Sequence, residues 1–495
     1  MNPDLIRLVR QSFQNTKIYS QSCLEKDGRV WLLGKQGPTR FLIIVGYDFP
    51  ADLEGKSGPG IPLGEPPRKT VICEGSSSVI AFLRKQFPHL APIPFGAVSA
   101  FGCGDRLGLA TPGHIQAVQD SGFRPMLAQQ SIRENSRTGR TMRGVIDDAA
   151  WGAFEVGYTG GFGADIDHIK QFSDIECAVE AGYTFFTIDP SDHVHDEVQQ
   201  MSRDEVLNQY RSIPGIDLIE KRHLGRTYKI EGITEPIVLE GEQFYRTALT
   251  YLEALNHLEK SYMLLVEKKG ESNFDFEASV DETATPTTSL AHIFIAEELR
   301  ARGVSFNSLA LRFVGEFEKG IDYIGDLSFF EQQFSRHAAI ARHFGGYKIG
   351  VHSGSDKFSI YPIIAKYTRG NFHVKTAGTS WLEAVHLVAK TAPDLYRRMH
   401  RIALQNFEKD RASYHISADL NRIKPLDNVP DAALEEYLDQ NDSRQLLHIT
   451  YGSILNANSG ALKGQLYKLL AREEDTHYKL LSSHIGNHIK GLLVS

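Results

Sequence analysis

The chain has 495 residues, 41% of them hydrophobic and 23% charged, with a formal net charge of −7. That length exceeds one small core, so one large elaborated domain or two to three domains are expected. Acidic and basic residues are interspersed without a basic stripe, and no apolar run approaches about 18 residues, which argues against a nucleic-acid partner and against a membrane span. Cys23, Cys73, Cys103 and Cys177 are scattered and form no C-x-x-C pair, so neither a disulfide scaffold nor a zinc ribbon is indicated; a cytoplasmic enzyme is the default expectation.

Residues 1–92 read as an N-terminal α+β cap. Residues 30–33 and 41–45 have strand character and are joined by a Gly/Pro loop at 34–38. Residues 76–87 predict a helix with Val79, Ile80, Leu83 and Phe87 on one face. Beyond residue 92, short apolar stretches that end in polar residues alternate with helical patterns. The stretches are 93–101, 124–129, 162–167, 184–189, 274–281, 308–315, 347–352 and 372–376. Eight strands in β-then-α order are what a (β/α)8 TIM-type barrel requires.

Three intervening helices stand out by their apolar stripes: Phe244/Ala248/Leu252/Leu255, residues 290–302, and Phe330/Phe334/Ala338/Ala341. Residues 93–455 are assigned to the barrel and 456–495 to a C-terminal helical tail. A polar insertion after strand 4, about 190–243, is long for a βα connection. It predicts a helix over 203–212 and a hairpin from 224–230 and 237–239, and it reads as a lid or as a contact between copies in a homo-oligomer.

Strand alternation gives the sharper inference, because barrel strands send one face to the helices and one inward. With Ala164 and Ile166 outward, Asp165 and Asp167 face in and His168 stands at the strand end. With Phe274, Phe276 and Ala278 outward, Asp275 and Glu277 face in; Leu309, Leu311 and Phe313 leave Arg312 and Glu316 inward; Tyr347, Ile349 and Val351 leave His352 inward. Charges converging at the C-terminal face of a barrel are costly unless paired or bound to something.

His168 beside Asp167 suits a metal ligand next to a base, against the plainer reading of a helix cap with a solvated imidazole. His352, followed by a Ser/Gly loop, suits a ligand, against an ordinary turn. Glu277 suits an acid/base, Glu316 a metal ligand and Arg312 a substrate clamp; a structural ion pair is the competing reading. The loop 102–114 carries Arg106 and enters a helix at Thr111-Pro112, with Thr111 as cap, so its amides and Arg106 can receive a carboxylate. Its glycine spacing is not that of a nucleotide loop. Residues 376–379 form a similar helix entry after the last strand. Residues 445–452 and 414–415 read as strand-like or buried pieces whose histidines, His448 and His415, are structural, although His448 can reach the site.

The stretches 104–114, 308–325, 351–362 and 374–381 resemble the tagaturonate epimerase family, and the resemblance runs from about residue 95 to about 455. It implies a divalent-metal-dependent enzyme that interconverts tagaturonate and fructuronate, with related activity on the ketohexoses tagatose and fructose. Under it, Asp167 and Glu277 exchange protons, His168, Glu316 and His352 hold the cation, and Arg106, Arg312 and Lys375 bind the ketouronate or ketohexose substrate. Mixed nitrogen and oxygen ligands admit zinc, manganese, nickel or cobalt. Retro-aldol cleavage and direct deprotonation both remain open as mechanisms. A metal-dependent sugar aldolase or lyase shares every one of these features, and a non-catalytic sugar-binding barrel is the non-enzymatic alternative.

Overall fold

The structure is a computed structural model that describes residues 3–493. Eight parallel strands close into a barrel: β1 (Ala100–Gly104), β2 (Arg124–Ser131), β3 (Gly163–Ile169), β4 (Phe185–Ile188), β5 (Asp275–Val280), β6 (Ser308–Leu311), β7 (Lys348–Val351) and β8 (Phe372–Thr376). Each pairs with the next, and β8 returns to β1 through His373 opposite Ala100. All eight overlap the apolar stretches that predict them. Ile166, Phe276, Leu309, Ile349 and Val374 face outward into one core shared with the surrounding helices.

Two strand boundaries differ from the sequence reading. The first strand starts at Ala100 rather than at 93, because Pro92 and Pro94 cannot donate to a ladder. Residues 93–99 instead cross the N-terminal end of the barrel. The Phe95 and Gly96 amides donate to the Asp275 carboxylate at 2.6 and 2.8 Å, and Lys348 Nζ donates to the Gly96 and Val98 carbonyls at 3.0 and 2.9 Å. Inward charges at this end therefore hold a plug. The sixth strand stops at Leu311, so Arg312 and Glu316 lie in the loop after it rather than on its inner face.

The cap is a five-stranded antiparallel sheet in the order Lys17–Lys26, Arg29–Gln36, Thr39–Gly46, Lys69–Glu74, Lys56–Ser57. The central hairpin pairs Gln36 with Thr39 across Gly37-Pro38, and the helix Ser77–Gln86 is capped by Ser76. The outer strand Lys17–Lys26 escapes sequence reading because its face toward solvent is polar and its burial is irregular, interrupted by a shift in register between Tyr19 and Leu24.

The insertion contains the expected helix, Arg203–Ser212, and a ladder of Thr227–Tyr228 with Ile237–Val238, together with an unanticipated helix, Ile216–His223. Most of it lies on the barrel's outer helices, where His223 pairs with Glu298 at 2.7 Å and the Tyr228 hydroxyl donates to Glu297; only its start touches the rim of the mouth, through Asp192 on Lys170 at 2.7 Å, and no residue from 190 to 243 itself lines the cavity.

The C-terminal residues also correct the sequence reading. The relevant helices are α1 (Thr111–Val118), α2 (Tyr361–Thr368), α3 (Thr379–Thr391), α4 (Asn441–Ile449) and α5 (Glu474–Leu492). Rather than forming an appended tail, α5 packs against α1, α2 and α3, so it completes the outer ring beside β1. Gly113 of α1 permits this approach, since a Cβ there would meet Leu481 at 2.8 Å, and His488 sits edge-on to Phe101 of β1 at 6.3 Å. The helix α3 forms a second apolar core with α4 and with the helices Pro393–Arg411 and Ala461–Arg472. Among the described residues, no helix is long and apolar enough to cross a membrane.

Because Ile485 is fully buried in the main core, Ile485→Ala is expected to lower stability by about 2–5 kcal/mol, read from the urea unfolding midpoint. A midpoint unchanged from wild type would remove α5 from the barrel's core.

Candidate active site

The barrel interior is organised around one ammonium group. Lys375 on β8 is 2% exposed, and its Nζ lies 3.1 Å from Asp165, 2.8 Å from Asp167, 2.8 Å from Glu277 and 2.5 Å from Thr187 Oγ1. The alternation of β3 and β5 turns those three carboxylates inward, and β4 supplies Thr187, whose hydroxyl lies 3.0 Å from both Asp165 and Glu277. Burial alone would raise Asp167 and Glu277. The neighbouring His168 and Lys375 outweigh it at Asp167, and Lys375 and His352 outweigh it at Glu277, so both carboxyls stay well below the usual range.

Above this layer two imidazoles face each other with ring centroids 4.9 Å apart. His168 Nδ1 is 2.9 Å from Asp167, and its Nε2 faces Glu282 and Asp281 at 3.7 and 3.9 Å, beyond hydrogen-bond reach. His352 Nε2 is 2.8 Å from Glu277; its Nδ1 lies 3.1 Å from Asp281 Oδ2 yet, although buried, makes no well-aligned hydrogen bond. One ligand atom each from Asp167, His168 and His352 lies within 4.8 Å of the others. The backbone here is unusual: His168 (φ 56°) and Ser353 (φ 49°) are left-handed without being glycine, a conformation held by the surrounding structure. A cavity of about 340 Å³ opens over these groups at the C-terminal ends of the strands, within the range of small-ligand sites.

Of the residues singled out in the sequence, Asp167, His168, His352 and Lys375 meet on this cavity. Glu277 does not reach its wall: fully buried, it accepts from Lys375, His352, Thr187 and Ser308 and anchors the layer beneath. Glu316 is not gathered with the two histidines. It pairs with Arg312 at 3.4 Å and His415 at 3.2 Å in an adjoining cavity, because the strand that would have aimed it inward ends at Leu311. Arg106 lines the cavity but is already engaged: Nε meets Glu134 at 2.9 Å, Nη1 donates to the His448 carbonyl at 2.8 Å, and the guanidinium stacks 3.8 Å from the Tyr451 ring centroid. The amides of its loop are taken by Asp105, which accepts from Leu107, Gly108 and Ala110, and Thr111 is the first helical residue rather than the cap.

A model of the tagaturonate epimerase family matches residues 19–492. The chain belongs to the tagaturonate epimerase family. Membership of a family of epimerases makes it an isomerase, built on the closed eight-stranded barrel. A tagaturonate/fructuronate epimerase of Thermotoga maritima is 45% identical over 476 residues, covering 96% of each chain. Crystal structures of fructuronate-tagaturonate epimerase UxaE from Cohnella laeviribosi are similar throughout. The form complexed with two glycerols has a TM-score of 0.92 at 40% identity over 100% of both chains, and the native form 0.91 at 39% over 99% of both.

Sequence reasoning missed several residues on the epimerase cavity. Asp281 follows Asp275, Glu277 and Ser279 in the same period-two series, so alternation carried one step further would have reached it. Glu282, Lys319 and Arg133 stand in loops or at a helix start, where no periodicity points to a cavity. His448, which the sequence allows to reach the site, does so from α4, a helix rather than a strand-like piece; it is 1% exposed, lines the cavity, and neither ring nitrogen has a hydrogen-bond partner among the described residues.

Removing the ammonium from its three carboxylates leaves buried, uncompensated charge. Lys375→Met is therefore expected to lower stability by about 3–5 kcal/mol in denaturant unfolding at neutral pH. Wild-type stability in that variant would contradict the charge-pairing role.

Proposed function

We propose that the protein interconverts D-tagaturonate and D-fructuronate at this cavity, with a divalent cation held by His168 and His352 together with the carboxylate of Asp281. The observation that carries the reading is the convergence of His168 Nε2 and His352 Nδ1 on the Asp281 carboxylate, at 3.9 and 3.1 Å, with neither nitrogen in a well-aligned hydrogen bond among the described residues. The relatives named for this activity, similar along nearly the whole chain, support the substrate assignment.

The donor chemistry fits a cation. Burial disfavours charge on both rings, yet Asp167 overrides it at His168, raising it to about 9, and Asp281 overrides it at His352, raising it to about 10. A field strong enough to pull protons onto two buried imidazoles is one that a divalent ion would satisfy in their place. Imidazole and carboxylate ligands suit zinc, manganese, nickel or cobalt. Bound there, such an ion supplies Lewis acidity toward a ketone and the hydroxyl next to it.

The two epimers differ at a hydroxyl-bearing carbon β to the ketone, whose C–H the carbonyl does not acidify. Simple enolisation therefore cannot invert it. Breaking the bond to the α-carbon and rejoining it on the other face can, with a base to take the hydroxyl proton; direct removal of the C–H proton would need, besides that base, a second group to return a proton on the opposite face. Both routes need a fixed base. Asp167 is that base: Lys375 and His168 hold its carboxylate ionised and oriented at the cavity wall, with Oδ1 bonded to both at 2.8 and 2.9 Å. Glu277 acts indirectly, fixing His352 and Lys375 from below.

Conversion of fructuronate to tagaturonate by the purified protein tests the assignment, and Asp167→Asn should lower kcat by about 10²–10⁴-fold. Near-normal turnover in that variant would remove Asp167 as base. Dialysis against a chelator should abolish turnover and added Zn²⁺, Mn²⁺, Ni²⁺ or Co²⁺ restore it; full activity after chelation would remove the cation. Turnover in D₂O separates the two routes, since deuterium at the inverted carbon marks direct deprotonation and its absence marks cleavage and rejoining.

A further inference from the structure

The cations around the cavity fall into two groups. Arg106, Lys170, Lys375 and, next door, Arg312 each have a carboxylate partner, at 2.9, 2.7, 2.8 and 3.4 Å respectively. Lys319 and Arg133 have none among the described residues. Lys319 Nζ donates only to Ser353 Oγ, at 2.6 Å, and Arg133 donates Nη1 to the Ser413 carbonyl at 3.2 Å while lying 4.8 Å from the Tyr414 ring centroid. Both line the main cavity and the adjoining one, so they stand where the two meet.

Two cations brought together without an anion repel each other, and the partly buried lysine also loses solvation. That arrangement is stabilised only when an anion arrives. Ser353, the hydrogen-bond partner of Lys319, follows His352 directly, so this cationic end adjoins the end that carries Asp167, His168 and His352. The wall beside Lys319 is neutral: His448, whose ring a Cβ on Gly320 would meet at 3.3 Å, has two ring nitrogens unpartnered among the described residues and is kept uncharged by burial with Arg106 and Lys319 nearby.

We infer that Lys319 and Arg133 receive the carboxylate of the substrate and thereby select a ketouronate over a neutral ketohexose. The inference rests on the proposed function and replaces Arg106, Arg312 and Lys375 in the role the sequence assigned to them. Those three are neutralised by the protein's own acids, whereas Lys319 and Arg133 offer free charge and free N–H donors. A carboxylate in contact with both would make charge-assisted hydrogen bonds that a hydroxymethyl group in its place cannot equal.

The test compares wild type, Lys319→Met and Arg133→Gln, measuring kcat and KM for fructuronate and the inhibition constant of tagatose against fructuronate turnover. Lys319→Met should raise the fructuronate KM about 10- to 100-fold, and the more exposed Arg133→Gln by less, with kcat at saturation largely kept. The tagatose inhibition constant should move less than about threefold, which also shows that the pocket remains folded. An unchanged fructuronate KM, a fall in kcat at unchanged KM, or a parallel loss of tagatose binding would overturn the assignment. Should the wild-type protein fail to convert fructuronate, the proposed function itself falls, and that arm reports it separately from the variants.

Discussion

Everything at the barrel mouth depends on the balance of charge around Lys375. Three carboxylates from two strands cannot share a dry interior with one another unless a cation lies among them, and this ammonium lies within 3.1 Å of all three. Once that balance is met, Asp167 is ionised and fixed, Glu277 is free to orient His352, and the layer above can carry two imidazoles at close range. The closed barrel makes this affordable in geometric terms, because parallel strands in register bring residues far apart in sequence to one level: His373 opposite Ala100, Glu277 opposite Thr187 and Ser308.

The two ends of the barrel solve the same electrostatic problem differently. At the N-terminal end, Asp275 and Lys348 are satisfied by the backbone of residues 95–98, and the inside is sealed. At the C-terminal end, among the described residues, His168 Nε2 and His352 Nδ1 make no well-aligned hydrogen bond, and Lys319 and Arg133 have no counterion. Under the proposed function, the unmet polar capacity at the mouth divides between a cation at the two histidines and the substrate's carboxylate at Lys319 and Arg133. A molecule with a chelating ketone and hydroxyl at one end and a carboxylate at the other matches both.

Much of this was legible in the sequence because the barrel's inner face is written in steps of two residues. Asp165, Asp167, Glu277 and Lys375 stand out as charges among apolar neighbours on strands, and the strands themselves are bounded by turn residues. Legibility ended where the period ended. Alternation projects Arg312 and Glu316 inward along a strand that stops at Leu311, and it gives the face of Glu277 but not its depth along the barrel axis, which sets an apparent acid/base below the cavity wall. Lys319 reaches the cavity from the loop after β6 and Arg133 from the start of the helix after β2, where no alternation applies, while His448 comes from α4, which packs with α3 in the second core of the C-terminal region. No local pattern encodes such long-range packing, so the C-terminal residues read as a tail.

The most direct measurement is anomalous diffraction from crystals grown with Mn²⁺ or Co²⁺. A single strong peak within bonding distance of His168 Nε2, His352 Nδ1 and a carboxylate oxygen of Asp281 is the expected result. A fully occupied ion elsewhere in the molecule, or no peak at the barrel mouth in crystals of active enzyme, would contradict the central claim that these inward-facing groups were assembled around one cation.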